Sequence, residues 1–240
     1  MRTLFLIFIS SMAFGQKLTQ QVFVGKINNK FGITLTLTTD DNLIYGQVVY
    51  KKEPIQIIGS KDGNSITLRE FNTKGLITGS YFGEIKGNVF SGSWYGSKKD
   101  APEMKFSAIK TTEKQVDKPI GANLTGTYHY KYAEDNGVGT IEIHQISKDK
   151  IAFAGLSLTH GPAYNQAIVD KVSLKLSNSQ AVYANNEYGN CKFKLSFAPT
   201  GLSIDYVGDA YECGFGHNAT LSGSYIKINS KIPKFELNGN

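Results

Sequence analysis

The sequence predicts an all-β protein made of two tandem small antiparallel β-barrels or barrel-like sandwiches, with little helix. Three observations carry this expectation. A five-residue pattern (apolar, Ser/Thr, Gly, Ser/Thr, aromatic) occurs four times, at Ile77 to Tyr81, Phe90 to Trp94, Leu124 to Tyr128 and Leu221 to Tyr225. On a strand this places the apolar residue, the Gly and the aromatic on one face and both hydroxyls on the other. A central Gly lets the sheet coil, and a neighbouring aromatic can cover the bare backbone. Short runs of period-two alternation also follow one another between turn signals at regular spacing. Finally, no stretch has the 3.6-residue apolar period of an amphipathic helix three turns long.

Met1 to Gly15 sets one cation, Arg2, before the apolar run Leu4 to Ile9 and the small-residue site Ala13-Phe14-Gly15, the pattern of a secretory signal peptide. The run is shorter than the roughly 18 apolar residues of a transmembrane span. No Cys ends the leader, so the expectation is an exported chain, periplasmic or secreted, without a lipid anchor or a transmembrane segment.

The first domain is expected at 16–110. Its strands are Val22 to Lys26, Ile33 to Thr38, Leu43 to Tyr50, Ile55 to Gly59, Ser65 to Glu70, Leu76 to Ile85, Val89 to Gly96 and Met104 to Ile109. Ile33 to Thr38 alternates Ile and Leu against Thr without a break, and Lys61-Asp62-Gly63-Asn64 and Lys86-Gly87-Asn88 are turn sequences. Lys110 to Asn123 holds five charged residues, one Pro and no apolar alternation, so 111–123 is the expected linker.

The second domain, 124–230, repeats the grammar. Its strands are Leu124 to Tyr132, Gly139 to Ile146, Lys150 to Leu158, Val169 to Leu176, Ala181 to Ala184, Cys191 to Phe197, Leu202 to Val207 and Thr220 to Ile228. Residues 231–240 form a C-terminal tail. One hairpin can be registered: with Phe197 opposite Leu202, Leu195 opposite Ile204 and Phe193 opposite Tyr206, every apolar side chain shares a face. Lys194 then opposes Asp205, a charge pair contributing about 0.2 to 1 kcal/mol.

Charge and composition exclude several classes. The net charge is +6, one less once Arg2 leaves with the leader, and Arg69 is then the only Arg among scattered Lys. Nucleic-acid recognition favours the planar fork of Arg and a basic groove with aromatics, so no nucleic-acid partner is expected. His129, His144, His160 and His217 lack metal-ligand spacing, no Ser sits in a nucleophile elbow, and neither Cys reads as a free nucleophile. Gly214-x-Gly216 leads into a strand, where a nucleotide loop would need a helix. The expectation is a protein that is not an enzyme and uses no cofactor or metal. Glu70 shares a face with Ile66 and Leu68; exposure at a strand end is expected, with a place inside the first barrel, as a ligand or catalytic carboxylate, the alternative. Glu142 and His144 are expected as solvated neighbours.

The only two cysteines of the chain, Cys191 and Cys213, are expected to form a disulfide, because an exported chain meets an oxidising compartment. Their bond would pin the open end of the registered hairpin. Closing a loop of that length constrains the unfolded chain by roughly 3 kcal/mol.

The stretch Cys213-Gly214-Phe215-Gly216-His217-Asn218, leading to Gly223-Ser224-Tyr225, resembles a motif of exported bacterial β-rich domains of unassigned function. In these, an earlier Cys pairs with a Cys-Gly-Phe-Gly-x-Asn segment before a closing Gly-x-Tyr strand. Gly126-Thr127-Tyr128, Gly161-Pro162 with Asn165, and Tyr183 before Cys191 also match, so the resemblance covers 124–228. The first half resembles lipocalin-related small barrels through Gly92-Ser93-Trp94 and its repeated Gly-turn strands. Neither resemblance implies an activity.

Two loops stand out as candidate partner-binding elements. His160-Gly161-Pro162-Ala163-Tyr164-Asn165 interrupts the strand pattern around an aromatic, and Phe215, His217 and Asn218 follow the second Cys. The expected function is noncatalytic recognition of another macromolecule, protein or glycan, at the cell envelope or outside it, with inhibition of a wall-degrading enzyme as one form. The alternative is a lipocalin-like carrier of a small apolar ligand, in which Phe153, Phe193, Phe197 and Tyr206 line a cavity; the same four residues can instead plug the barrel.

Overall fold

A computed structural model describes residues 17–98, 100–119, 123–133 and 137–237. The leader, and the parts of the expected linker and tail at 120–122 and 238–240, lie outside the described residues. Two closed antiparallel eight-stranded barrels follow one another, each joining neighbouring strands in chain order. The first contains β1 (Lys17–Ile27), β2 (Phe31–Asp40), β3 (Leu43–Tyr50), β4 (Glu53–Asp62), β5 (Ser65–Phe71), β6 (Ile77–Lys86), β7 (Val89–Gly96) and β8 (Met104–Asp117). The second contains β9 (Gly126–Lys131), β10 (Val138–Ser147), β11 (Lys150–Leu158), β12 (Gln166–Ser177), β13 (Gln180–Asn185), β14 (Cys191–Ala198), β15 (Gly201–Tyr206) and β16 (Gly223–Asn229). The helical content among the described residues is one 3-10 turn at Ala210–Cys213.

Alternation places one face of each strand inside. In the first barrel Phe23, Phe90, Phe106 and Tyr81 form a chain of edge-to-face rings with centroids 4.8 to 5.8 Å apart, a geometry that favours the ring quadrupoles. Trp94 covers Gly79 as the repeat predicts: a Cβ on Gly79 would lie 2.6 Å from the indole nitrogen. In the second barrel the repeat acquires a further role. Tyr128 and Tyr225 each donate their hydroxyl at 2.8 Å to the carbonyl four residues back, on Leu124 and Leu221. The intervening Gly126 and Gly223, at φ +150° and +132°, supply the backbone turn that brings carbonyl and hydroxyl together. Two copies of one pattern thus make two equivalent corners.

Several expectations are corrected. The proposed linker begins as strand: β8 continues to Asp117 and pairs with β1 to its first residue, Lys17. Polar cross-strand contacts replace burial there, including Lys17 to Asp117 at 2.6 Å and Gln21 to Glu113 at 2.9 Å. The β14–β15 register is the one expected, with Lys194 opposite Asp205. Yet the Lys194 ammonium lies 3.5 Å from Asp41 of the first barrel, while Asp205 accepts the hydroxyl of Ser203. Glu70 is not exposed. It is 5% accessible and accepts a hydrogen bond from the Tyr81 hydroxyl at 2.9 Å. Burial raises its pKa above the carboxylate range, partly offset by hydrogen bonding to Tyr81. Glu142 is partly covered by the chain beyond β16: it accepts the backbone N–H of Phe235, and burial raises its pKa. The Phe235 ring in turn lies 4.6 Å from the Lys171 ammonium, so this part of the expected tail is docked on the barrel wall.

The barrels pack side by side. Leu43, Ile58, Phe71 and Ile77, on the outside of the first barrel, belong to the same buried apolar cluster as the second barrel's interior. Arg69 projects from β5 over Tyr130 and Tyr132, with its guanidinium carbon 5.6 and 5.4 Å from the ring centres. Asp40 and Lys118 form an ion pair at 2.6 Å, with both side chains mostly covered. The backbone N–H of Lys131 donates to the carbonyl of Gly75 at 2.8 Å, continuing sheet pairing between the two barrels.

Candidate functional site

The site is built at one end of the second barrel, where β11 ends, β12 begins and the chain returns towards β16. The 159–165 loop is closed at its base by two bonds, each 2.9 Å long: Thr159 N–H to the Asn165 carbonyl, and Asn165 N–H to the Thr159 hydroxyl. This lets a seven-residue connection hold a defined shape without regular secondary structure.

The second segment is held at both ends. Cys191 and Cys213 form the expected disulfide, joining the start of β14 to the 3-10 turn. At the far end the Tyr206 hydroxyl accepts the Thr220 hydroxyl at 3.3 Å and the Leu221 N–H at 3.4 Å. Between these anchors, Gly216 N–H donates to the Gln166 carbonyl at 2.9 Å. The two loops are then tied directly, the Asn165 amide donating at 2.7 Å to the carbonyl of His217.

Together they enclose a cleft of about 380 Å³. Of the seven loop residues singled out in the sequence, His160, Pro162, Asn165, His217 and Asn218 line it. The other two do not. Tyr164 is 51% exposed, with its hydroxyl folded back towards Gly161. Phe215 turns to a separate hollow of about 500 Å³ shared with Tyr183, Tyr188 and Cys213. That hollow lies where β12 and β13 diverge, since only Leu176 with Ala181 and Ser177 with Gln180 are paired.

Strand-end residues missing from the sequence reading complete the cleft. Tyr130 and Ser157, both buried, share a hydrogen bond of 3.1 Å between their hydroxyls, and both line it. Their signal in the sequence was only the inward half of the alternation. Burial raises the Tyr130 pKa, so its hydroxyl stays protonated and able to donate. None of the described lining residues is an Asp, Glu, Lys or Arg. The arrangement offers hydroxyls, two amides and two imidazoles: groups that orient a bound polar molecule.

The four interior aromatics are packed. Phe193 lies 6.0 Å from Phe153 and 5.9 Å from Tyr206 between ring centres, and it stacks on Tyr183 at 4.6 Å. Phe197 stands against Tyr128 at 6.2 Å. No group of three His, Cys, Asp or Glu side chains among the described residues is placed to hold a metal ion. No helix among them is long and apolar enough to cross a membrane.

Comparison of the chain with family models, with curated proteins and with solved structures finds no significant match.

Proposed function

We propose that the protein is an exported, noncatalytic recognition protein, periplasmic or secreted, that binds another macromolecule through the cleft at the end of the second barrel. One observation carries the reading: two loops separated by some fifty residues converge on one concave surface and are fastened to each other at Asn165 and His217. A preformed surface loses little conformational freedom on binding, which favours affinity. Tyr164 adds an exposed ring beside the cleft and holds a left-handed backbone, φ +46°. A tyrosine adopts that conformation at a cost of about 1–2 kcal/mol, and such local strain tends to collect at binding sites. The disulfide is consistent with export to an oxidising compartment.

The carrier reading has less support, because three of the four residues that would line a ligand chamber, Phe153, Phe193 and Tyr206, pack their rings on one another. Inhibition of a wall-degrading enzyme is the form of recognition in which the partner is a protein. Excess mature protein slowing lysozyme clearing of cell walls supports that form, and no effect sets it aside.

The test of the broader reading is capture of a partner from the source's envelope and medium by immobilised mature protein, repeated with Tyr164→Ala and with the double variant His160→Ala/His217→Ala. Loss of at least tenfold in retained partner, with unfolding temperatures unchanged, is expected. Undiminished capture by all these variants removes the cleft from the account.

A further inference from the structure

We infer that the cleft takes a neutral, polyhydroxylated ligand: the sugar residues at the end of a glycan chain. This rests on the recognition reading and narrows the partner's chemistry. Charged residues make up 19% of the chain, yet none is among the described residues lining the cleft. No carboxylate, ammonium or guanidinium among the described lining residues stands ready to pair with a charged ligand.

The polar groups present are of the kind that act in both directions. Tyr130 and Ser157 share one hydroxyl hydrogen between them and keep the other to donate, the Thr220 oxygen, whose hydrogen goes to Tyr206, keeps a lone pair to accept, and the His160 and His217 rings carry nitrogens that can bond a hydroxyl. Sugar hydroxyls have the same dual character, so such a lining can satisfy them whichever way they turn. Asn165 spends one amide hydrogen on the His217 carbonyl and keeps its oxygen as an acceptor. Among the described residues the side chains of His160, His217 and Asn218 have no hydrogen-bond partner, leaving their polar atoms available.

Shape points the same way. The lining mixes hydroxyl, amide and imidazole groups with the apolar surfaces of Leu158, Pro162 and Ala163, and a sugar likewise presents both hydroxyls and apolar C–H faces. The volume, about 380 Å³, is at the small end of ligand pockets, about 300–1,000 Å³. The exposed Tyr164 ring beside the opening can meet the C–H face of a sugar.

The experiment is an NMR titration of the full mature protein with the trimers of N-acetylglucosamine, glucose and galactose, and with the charged trimers of glucosamine and galacturonate. The reporters are the imidazole ring protons of His160 and His217, assigned by substitution. At least one neutral trimer is expected to shift both reporters saturably. Asn218→Gly, which keeps the left-handed backbone at φ +58°, and Tyr164→Ala, both at exposed positions, are each expected to weaken that binding about tenfold or more without lowering the unfolding temperature. Saturation by charged trimers alone, or by none of the five, overturns the inference. Sugar binding that neither variant weakens also overturns it, because the sugar then sits elsewhere. A partner captured through the loops that binds equally well after deglycosylation, lysozyme included, overturns the sugar assignment while the recognition reading stands.

Discussion

Glu70 shows what a single residue adds to a pattern. Alternation assigned it to the inward face, but depth along the barrel axis depends on where Tyr81 and Trp94 sit on neighbouring strands, which no local run contains. Its carboxyl is kept above the usual range by burial, so folding favours the protonated form. A raised folded-state pKa contributes stability fully below the unfolded value, about 4.3, and that contribution is lost as pH rises through the folded value. Glu70→Gln should therefore gain stability relative to the parent as pH rises above the unfolded value, about 4.3, measured by urea unfolding at each pH. A difference independent of pH contradicts the burial account. The corner tyrosines make a second residue-scale prediction. Tyr225→Phe leaves the buried Leu221 carbonyl without its donor and should cost about 1–3 kcal/mol, read from the same unfolding curves. Here the pattern was visible in the sequence but the hydroxyl's partner was not, since Tyr81 in the first barrel uses the same position to reach Glu70.

At the scale of elements, every expected strand is present, and the β14–β15 register follows from burial alone. Legibility fails where strands are stabilised without an apolar face. The last part of β8 pairs through Lys17–Asp117 and Gln21–Glu113, so its residues resemble those of a linker. The segment after β16 hides in the same way, because its docking depends on Lys171 and Glu142, distant in sequence. The disulfide was legible from cysteine count, and its place in the site follows from the anchors at Cys213 and Tyr206. Replacing both cysteines by serine should cost about 3 kcal/mol on the loop-entropy model. It should also speed amide exchange at 214–220 more than in the centre of β11. Equal acceleration in both places would mean that the bond supports the whole barrel and not the loop.

The whole molecule is one packed unit more than two beads on a string. Ile57 and Ile58 are adjacent and both fully buried, one inside the first barrel and the other against the second. Alternation can place only one of them, because it says nothing about a second barrel resting on the outer face. The same interface explains why Lys194 turns from Asp205 to Asp41. Ile58→Ala should cost about 2–5 kcal/mol; the parent is expected to unfold in one calorimetric transition and Ile58→Asp in two, and one transition in both argues against a coupled interface. The convergence of the two loops was likewise beyond sequence reading, which could name His160 and His217 but not bring them to one cleft. The measurement that bears most directly on recognition there is hydrogen exchange of the mature protein with and without its captured partner. Protection concentrated at 157–165 and 216–220 is expected, with the outer strands of the first barrel unchanged. Protection confined to the first barrel, with both loops exchanging as in the free protein, would contradict it.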